Sequence, residues 1–299
     1  MNYRLVLLII FLTSKVASQQ DPTTSFFFNQ MIFFNPAYAG SNFSNEISFA
    51  SRNQWTSIEN SPRSQFFSLS SMRENNVGLG ISLFSNKTFV ERRTISYIDF
   101  SYKLELNSEK YIFLGLKGGA DFLKTDITNI IGLGENQTFD PALNNESRIL
   151  PNLGVGILFK SNKFFFSFSI PRMFSNETNE LQFSGSNTNP IYLVTGYNAE
   201  LNDNLSIKTN LFLKSSKGQK NSLQSSIVLN VNENFEIGLN YKTSNFLTPL
   251  MMVNLGQFKL GYAYEMPLIN SISNLSVRTH EVLLFYNLNK KSEQVIEEE

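Results

Sequence analysis

The chain has 299 residues, with 25 Lys+Arg against 25 Asp+Glu, one His and no Cys. A formal net charge of zero with 17% charged residues argues against nucleic-acid binding, which needs a concentrated basic patch. The lack of cysteine excludes disulfides, zinc fingers and thiol nucleophiles, and a single imidazole cannot build a multi-His metal site. We therefore expect no cofactor, no metal site and no nucleic-acid partner.

The first 18 residues predict a signal peptide for export. Met1 to Arg4 is a short positive start, Leu5 to Leu12 is an unbroken apolar run, and Val16 to Ser18 supplies small residues near a cleavage point. The alternative is a buried N-terminal helix. A membrane-spanning helix is excluded, because eight apolar residues are too few to span a bilayer. An exported chain without a helical anchor is a secreted protein, a periplasmic protein or an outer-membrane barrel.

After the signal peptide, apolar residues alternate with small or polar residues at a period of two, which is typical of strands with one wet face. Val77 to Leu83 and Phe235 to Lys242 are clear examples, and Lys117 and Asp121 fall on the polar side of their strand. The pattern predicts fourteen strands, at about 46–52, 65–73, 77–85, 94–104, 110–122, 152–160, 164–170, 191–201, 205–213, 222–231, 235–243, 250–255, 258–264 and 281–288.

The connections between these strands alternate between short polar turns and longer loops. Residues 74–76, 202–204 and 232–234 are short, whereas 123–151 and 171–190 are long. This alternation is how outer-membrane barrels are built, with short periplasmic turns and long extracellular loops. We therefore predict an all-β fold, a single transmembrane antiparallel β-barrel of about 14 strands spanning residues 46–288. Residues 19–45 would be a periplasmic or lumen segment, and 289–299 a charged C-terminal tail.

Four short segments of the sequence resemble a known family. They are Asn35 to Ser41 (NPAYAGS), Arg52 to Trp55 (RNQW), Gly261 to Glu265 (GYAYE) and Thr279 to Glu281 (THE). Together they are similar to the PorP/SprF family of Bacteroidota outer-membrane proteins, which is associated with type IX secretion and gliding motility. NPAYAGS is the most specific segment, and Glu265 departs from the Asp that is common in the family.

The resemblance implies a non-enzymatic barrel in outer-membrane lipid that works with type IX secretion and motility components. It also implies a secreted adhesin, or its type B C-terminal sorting domain, as a partner in export or surface anchoring. The alternation of inward polar residues permits a second function, a passive porin or solute channel. A third, an enzyme that uses His280 as a base, would need a partner Ser that the sequence does not place.

The family segments supply the candidate partner-binding residues. Each also has a purely structural interpretation: residues 26–40 as a lead-in that closes the barrel, the Trp and Tyr residues as interfacial anchors, and the last Glu of GYAYE as the partner of an inward Arg or Lys. The candidates are Asn35, Pro36, Tyr38, Gly40, Arg52, Gln54, Trp55, Tyr262, Tyr264, Glu265, His280 and Glu281.

Overall fold

The protein is a closed barrel of fourteen antiparallel strands, each paired with its neighbours in the chain, and β1 pairs with β14 to complete the circle. The computed structural model describes residues 23–56, 58, 60–125, 146–174, 189–217, 219–268 and 278–288. The predicted signal peptide and C-terminal tail lie outside the described residues and remain predictions. None of the helices in the described part of the chain is long and apolar enough to cross a membrane.

The strands run from 7 to 17 residues. They are β1 (Glu46–Gln54), β2 (Arg63–Met72), β3 (Val77–Thr88), β4 (Glu91–Asn107), β5 (Lys110–Thr125), β6 (Glu146–Ser161), β7 (Phe164–Ile170), β8 (Ile191–Asn202), β9 (Leu205–Ser215), β10 (Ser222–Val231), β11 (Phe235–Lys242), β12 (Phe246–Leu255), β13 (Phe258–Pro267) and β14 (Thr279–Asn287). The predicted fold class, a barrel of about 14 antiparallel strands, is confirmed.

Two connections are shorter than the sequence predicted, because the strands beside them are longer. Residues 86–93 lie between two predicted strands, yet Asn86 pairs with Arg93 in the ladder and only residues 89–90 connect β3 to β4. Similarly, β12 begins at Phe246 rather than near residue 250, which leaves 243–245 as the connection from β11. Pro249, which has no N–H to donate, lies within β12, where it pairs with Leu239 of β11.

The wall has two chemically distinct faces. Inward positions carry small, polar and charged side chains that are buried, including Lys117 and Asp121 at 2% and 3% exposure. Outward positions carry large apolar side chains, such as Ile98 at 70% and Ile237 at 62% exposure. Such an apolar outer face fits lipid rather than water, and a closed sheet satisfies its own backbone groups within lipid.

The barrel has two ends, defined by its connections. The turn end carries the short connections 73–76, 108–109, 162–163, 203–204, 232–234 and 256–257, together with the start of β1 and the end of β14. The loop end carries the other connections, including the one from β5 to β6 and the one from β7 to β8. By the construction of outer-membrane barrels, the turn end faces the periplasm.

Residues 23–45, which we call the plug, lie inside the barrel. They hydrogen-bond to or pack against inward residues around the whole circumference: Ser48 (β1), Ser70 (β2), Gly78 (β3), Ser101 (β4), Lys117 (β5), Gly156 (β6), Ser167 (β7), Tyr192 (β8), Phe212 (β9), Gln224 (β10), Asn240 (β11), Gly261 (β13) and Glu281 (β14). The core of this protein is therefore the interface between the plug and the inner wall.

Candidate functional site

The plug is a chain of short turns rather than a long helix. It contains a 3-10 turn at Phe27–Asn29, a helical turn at Met31–Phe34 and a second 3-10 turn at Pro36–Tyr38. Asn35 caps the last turn, since its Oδ1 accepts from Ala37 N–H at 2.9 Å, and Pro36 suits the first position because it has no N–H to satisfy. The NPAY sequence thus encodes a sharp, capped change of direction inside the lumen.

The NPAYAG segment lies directly against glycines of the wall. A Cβ on Gly115 would stand 2.2 Å from Ala37 N, and one on Gly78 would stand 2.0 Å from Ala39 O. Gly40 has a φ of +69°, a left-handed conformation that glycine adopts without strain. The small residues of the motif and the glycines of β3 and β5 therefore form one contact, in which backbone touches backbone.

Asn35 joins this contact to two further strands. Its Nδ2 donates to Ser167 Oγ at 2.7 Å and to the carbonyl oxygen of Ile157 at 3.0 Å. A Cβ on Gly156 would stand 1.9 Å from Asn35 Oδ1, so only glycine admits the amide there. Because Asn35 is 1% exposed, its replacement would leave buried polar atoms of the wall without a partner.

Aromatic side chains fill the middle of the lumen around the plug. The Phe34 ring lies 4.9 Å from that of Phe212 and 5.3 Å from that of Tyr192, centroid to centroid, and Phe33 packs edge-on against Phe66 at 5.5 Å. These distances are those of favourable edge-to-face pairs. Residues 26–34 therefore serve as an apolar core for a barrel whose own inner face is largely polar.

A buried lysine holds the helical turn of the plug. Lys117 Nζ lies 2.9 Å from Asp99 Oδ1, and it donates to the carbonyl oxygens of Ile32 at 2.9 Å and Phe33 at 3.0 Å. Both charged side chains are fully withdrawn from solvent, so each depends on the other for compensation. The lysine satisfies carbonyl groups that the short turn leaves without partners.

A four-charge network, which we call the ion cluster, holds the start of the plug near the loop end. Arg52 forms a salt bridge with Glu265 and lies 3.3 Å from Glu281, while Lys242 Nζ is 2.5 Å from Glu265 Oε2. Glu281 accepts from the N–H of Ser25 at 2.9 Å. The cluster is electrically neutral and buried, and Glu281 is the member that binds the backbone of the plug.

The structure divides the sequence-predicted residues between the two faces of the wall. Tyr262 and His280 lie on the outer face, where Tyr262 Oη is 2.7 Å from His280 Nδ1 and the Tyr264 ring is 5.2 Å from the imidazole. Trp55 is half-buried directly after β1, with a φ of +52°. The candidates that lie in the lumen are Asn35, Pro36, Tyr38, Gly40, Arg52, Gln54, Glu265 and Glu281.

This division bears on the catalytic alternative. His280 and Glu281 are consecutive in β14, so their side chains lie on opposite faces of the wall and do not form a pair. Burial raises the pKa of the Tyr38 phenol above its ordinary value. The lumen groups are arranged to compensate one another and the plug, which is the chemistry of binding and ordering.

Sequence reasoning missed several members of this site. Lys242 and the glycines at 78, 115 and 156 were not among the candidates, although Lys242 binds Glu265 in the ion cluster and the three glycines contact the plug directly. Their inward position follows from the period-two alternation. Their partners do not, because contacts between separate elements of the fold leave no trace in a single sequence.

Comparisons with known proteins place the chain in a family. A family model described as type IX secretion system membrane protein PorP/SprF matches residues 16–286. No curated protein sequence matches the chain.

Several solved barrels resemble it in outline. Omp33 of Acinetobacter baumannii (TM-score 0.42, 10% identity) is matched over 82% of this chain and 97% of that one. The CymD monoaromatic hydrocarbon channel (TM-score 0.48, 12% identity) is matched over 87% of this chain and 91% of that one. The Pseudomonas putida toluene transporter TodX (TM-score 0.46, 8% identity) is matched over 90% of this chain and 93% of that one. The chain is an outer-membrane β-barrel and, with nearly all of its length matched, it belongs to the PorP/SprF family of type IX secretion system membrane proteins.

Proposed function

We propose that this protein is a non-enzymatic outer-membrane partner of the type IX secretion system, supporting export or surface anchoring of a secreted adhesin that carries a type B C-terminal sorting domain. In this proposal the barrel is a rigid platform fixed by its apolar belt. The surface offered to the adhesin is the loop end, where the ion cluster also holds the start of the plug.

The observation that carries the proposal is the plug. A passive porin needs a continuous aqueous path, whereas here the lumen contains a segment bound to strands on every side. The aromatic core at Phe34, Phe212 and Tyr192 occupies the middle of the barrel. A filled lumen supports a scaffold or a gated partner rather than an open channel.

The closeness of plug and wall argues in the same direction. The family segments NPAYAG, RNQW, GYAYE and THE are far apart in sequence, yet three of them contribute to one cluster through Arg52, Glu265 and Glu281. Their shared purpose in the fold is to hold the plug. A segment held by so many specific contacts has one defined position, which a recognition surface requires.

The test is a deletion strain of the host bacterium complemented with the wild-type gene. We expect the deletion to remove the adhesin from the cell surface, measured by protease shaving and by antibody labelling of intact cells. Complementation with His280→Ala, on the outer face, should restore surface display fully. Normal display in the deletion strain would contradict the proposal.

A second measurement separates the scaffold from the channel. The purified barrel in planar bilayers should show no steady conductance and only rare, brief openings, because the plug occupies the lumen. Steady ohmic conductance by the wild-type protein would favour the porin instead. Affinity purification of the tagged barrel from solubilised outer membranes, followed by mass spectrometry, would name the adhesin.

A further inference from the structure

The plug fills only one side of the lumen near the turn end. Residues 36–45 lie against β2 to β7, where Ala37 contacts Gly115 and Lys160 donates to the carbonyl oxygen of Ser41 at 3.0 Å. On the opposite side is a cavity of about 760 Å³, which we call the vestibule. Its inward-facing lining includes Asn198, Lys208, Asn230, Glu236, Asn254 and Lys259.

The vestibule is lined by amides, and at its centre one carboxylate lies between two lysines. Glu236 is 2% exposed and is compensated by Lys259 at 2.8 Å and Lys208 at 3.4 Å. The side-chain oxygens of Asn198 and Asn230 are withdrawn from solvent and have no hydrogen-bond partner among the described residues. Buried amide oxygens without partners are uncommon, and here they border a cavity that a ligand can enter.

A second cavity of about 370 Å³, the inner chamber, lies beneath the plug and shares Asn198, Lys208, Glu236 and other residues with the vestibule. Its lining is more apolar. Its apolar surface is supplied by Phe28, Met31 and Ile32 of the plug and by Phe165 and Phe285 of the wall, while charged side chains such as Glu46, Lys160 and Lys163 line the part near the turns. The two cavities are therefore adjacent, and the second adds an apolar surface to the polar lining of the first.

We propose that the vestibule and inner chamber together bind an extended polypeptide segment of a periplasmic protein, with one large apolar side chain seated in the chamber. Asparagine amides both donate and accept, so they complement the N–H and C=O groups of a peptide backbone. The strands at this end are paired on both sides, so a peptide is recognised there through side chains and not by strand addition. The apolar chamber favours a peptide over an oligosaccharide.

This inference does not depend on the proposed role in adhesin display. The vestibule opens at the turn end, whereas the ion cluster and the loops lie at the other end. A barrel that binds no peptide can therefore still be required for adhesin display, and a barrel that binds peptide can be dispensable for display. The two experiments distinguish failure of one proposal from failure of the other.

The probes are two fluorescein-labelled hexapeptides of Ser and Asn, one with a central Phe and one with Ala in its place. Fluorescence anisotropy with the purified barrel should show that the Phe peptide binds about tenfold more tightly, because only it fills the chamber. Ser68→Phe, which occupies the chamber from β2, should reduce the Phe peptide to the affinity of the Ala peptide. Asn230→Leu should weaken both peptides.

Two matched controls carry the same side-chain changes elsewhere. Ser96→Phe lies on the outer face of β4 and Asn75→Leu on an exposed turn at the same end, and neither should change binding. Equal affinity for the two peptides, unchanged by Ser68→Phe, would overturn the proposal. Binding of an N-acetylglucosamine trimer in place of the peptides would also overturn it. The same holds if the peptides bind only after removal of residues 289–299, because the chain's own tail would then be the occupant.

Discussion

Gly115 offers the sharpest test of how the plug is held. A methyl group at this position would stand 2.2 Å from Ala37 N, 2.5 Å from Pro36 C and 2.7 Å from Ala37 Cα. All three are backbone atoms, so no side-chain rotation relieves the clash. Gly115→Ala therefore forces the NPAYAG segment away from the wall. Gly118→Ala, three residues along the same strand, meets only the Leu153 side chain at 3.5 Å and is a matched control.

The size of the effect follows from these distances. To reach an ordinary contact of 3.4 Å, the plug must retreat by about 1.2 Å, the difference from 2.2 Å. Overpacking of this kind costs about 1–3 kcal/mol, and each hydrogen bond of Asn35 that breaks adds about 1 kcal/mol. We take about 3 kcal/mol as the total, which shifts the balance between a seated and a displaced plug by about 100-fold.

Planar-bilayer recording measures this balance, since a displaced plug opens the lumen. We expect brief openings to be about 100-fold more frequent in Gly115→Ala than in the wild type or in Gly118→Ala, with whole cells more sensitive to large antibiotics. If Gly115→Ala and Gly118→Ala gave the same conductance and the same thermal unfolding, then the close contact would not hold the plug and our reasoning would be refuted.

Three further predictions concern charges and the outer face. Arg52→Leu leaves two buried carboxylates without their arginine and should lower the free energy of unfolding by about 3–5 kcal/mol, measured as a lower unfolding temperature in detergent. The control Lys163→Ala breaks an exposed ion pair and should change nothing measurable. Lys117→Met should destabilise the barrel similarly, and adding Asp99→Leu should recover part of the loss, because the unpaired buried charge is then gone. His280→Ala should leave adhesin display unchanged in intact cells, and a loss of display would revive a chemical role for the imidazole.

The fold was largely predictable from the sequence because the alternation of residues within each strand shows which side chains face inward and which face outward. The alternation in Phe235 to Lys242 is local information, and it places Glu236 and Asn240 inside the barrel without any knowledge of neighbouring strands. The ends of strands were less predictable. Polar residues such as Asn86 and Arg93 occur in loops and equally in the outer part of a long barrel strand, so the pattern does not distinguish them.

The site was predicted only in part, for a physical reason. The family segments identified Arg52, Glu265 and Glu281, but their joint contact arises only when β1, β13 and β14 close the barrel. Lys117 is a visible inward charge, yet nothing in the sequence says that its partners include carbonyl oxygens of residues 32 and 33. Contacts of a filled lumen depend on the path of the plug, which its short turns do not reveal.

The inner wall is itself divided in a way that explains why the plug leaves space at the turn end. On one side, Gly78 and Gly115 remove side chains where the plug backbone approaches, so the wall there accepts only a closely fitted segment. On the other side, positions near the same end carry Asn230, Glu236 and Asn254, whose side chains extend into the lumen and line the vestibule. A barrel that needed only to be closed would gain more from apolar residues there, since they would pack against the plug and bury apolar surface. Amides and a compensated carboxylate at these positions give up the stabilisation that buried apolar surface would provide. A ligand that supplies the missing hydrogen bonds accounts for this polar lining.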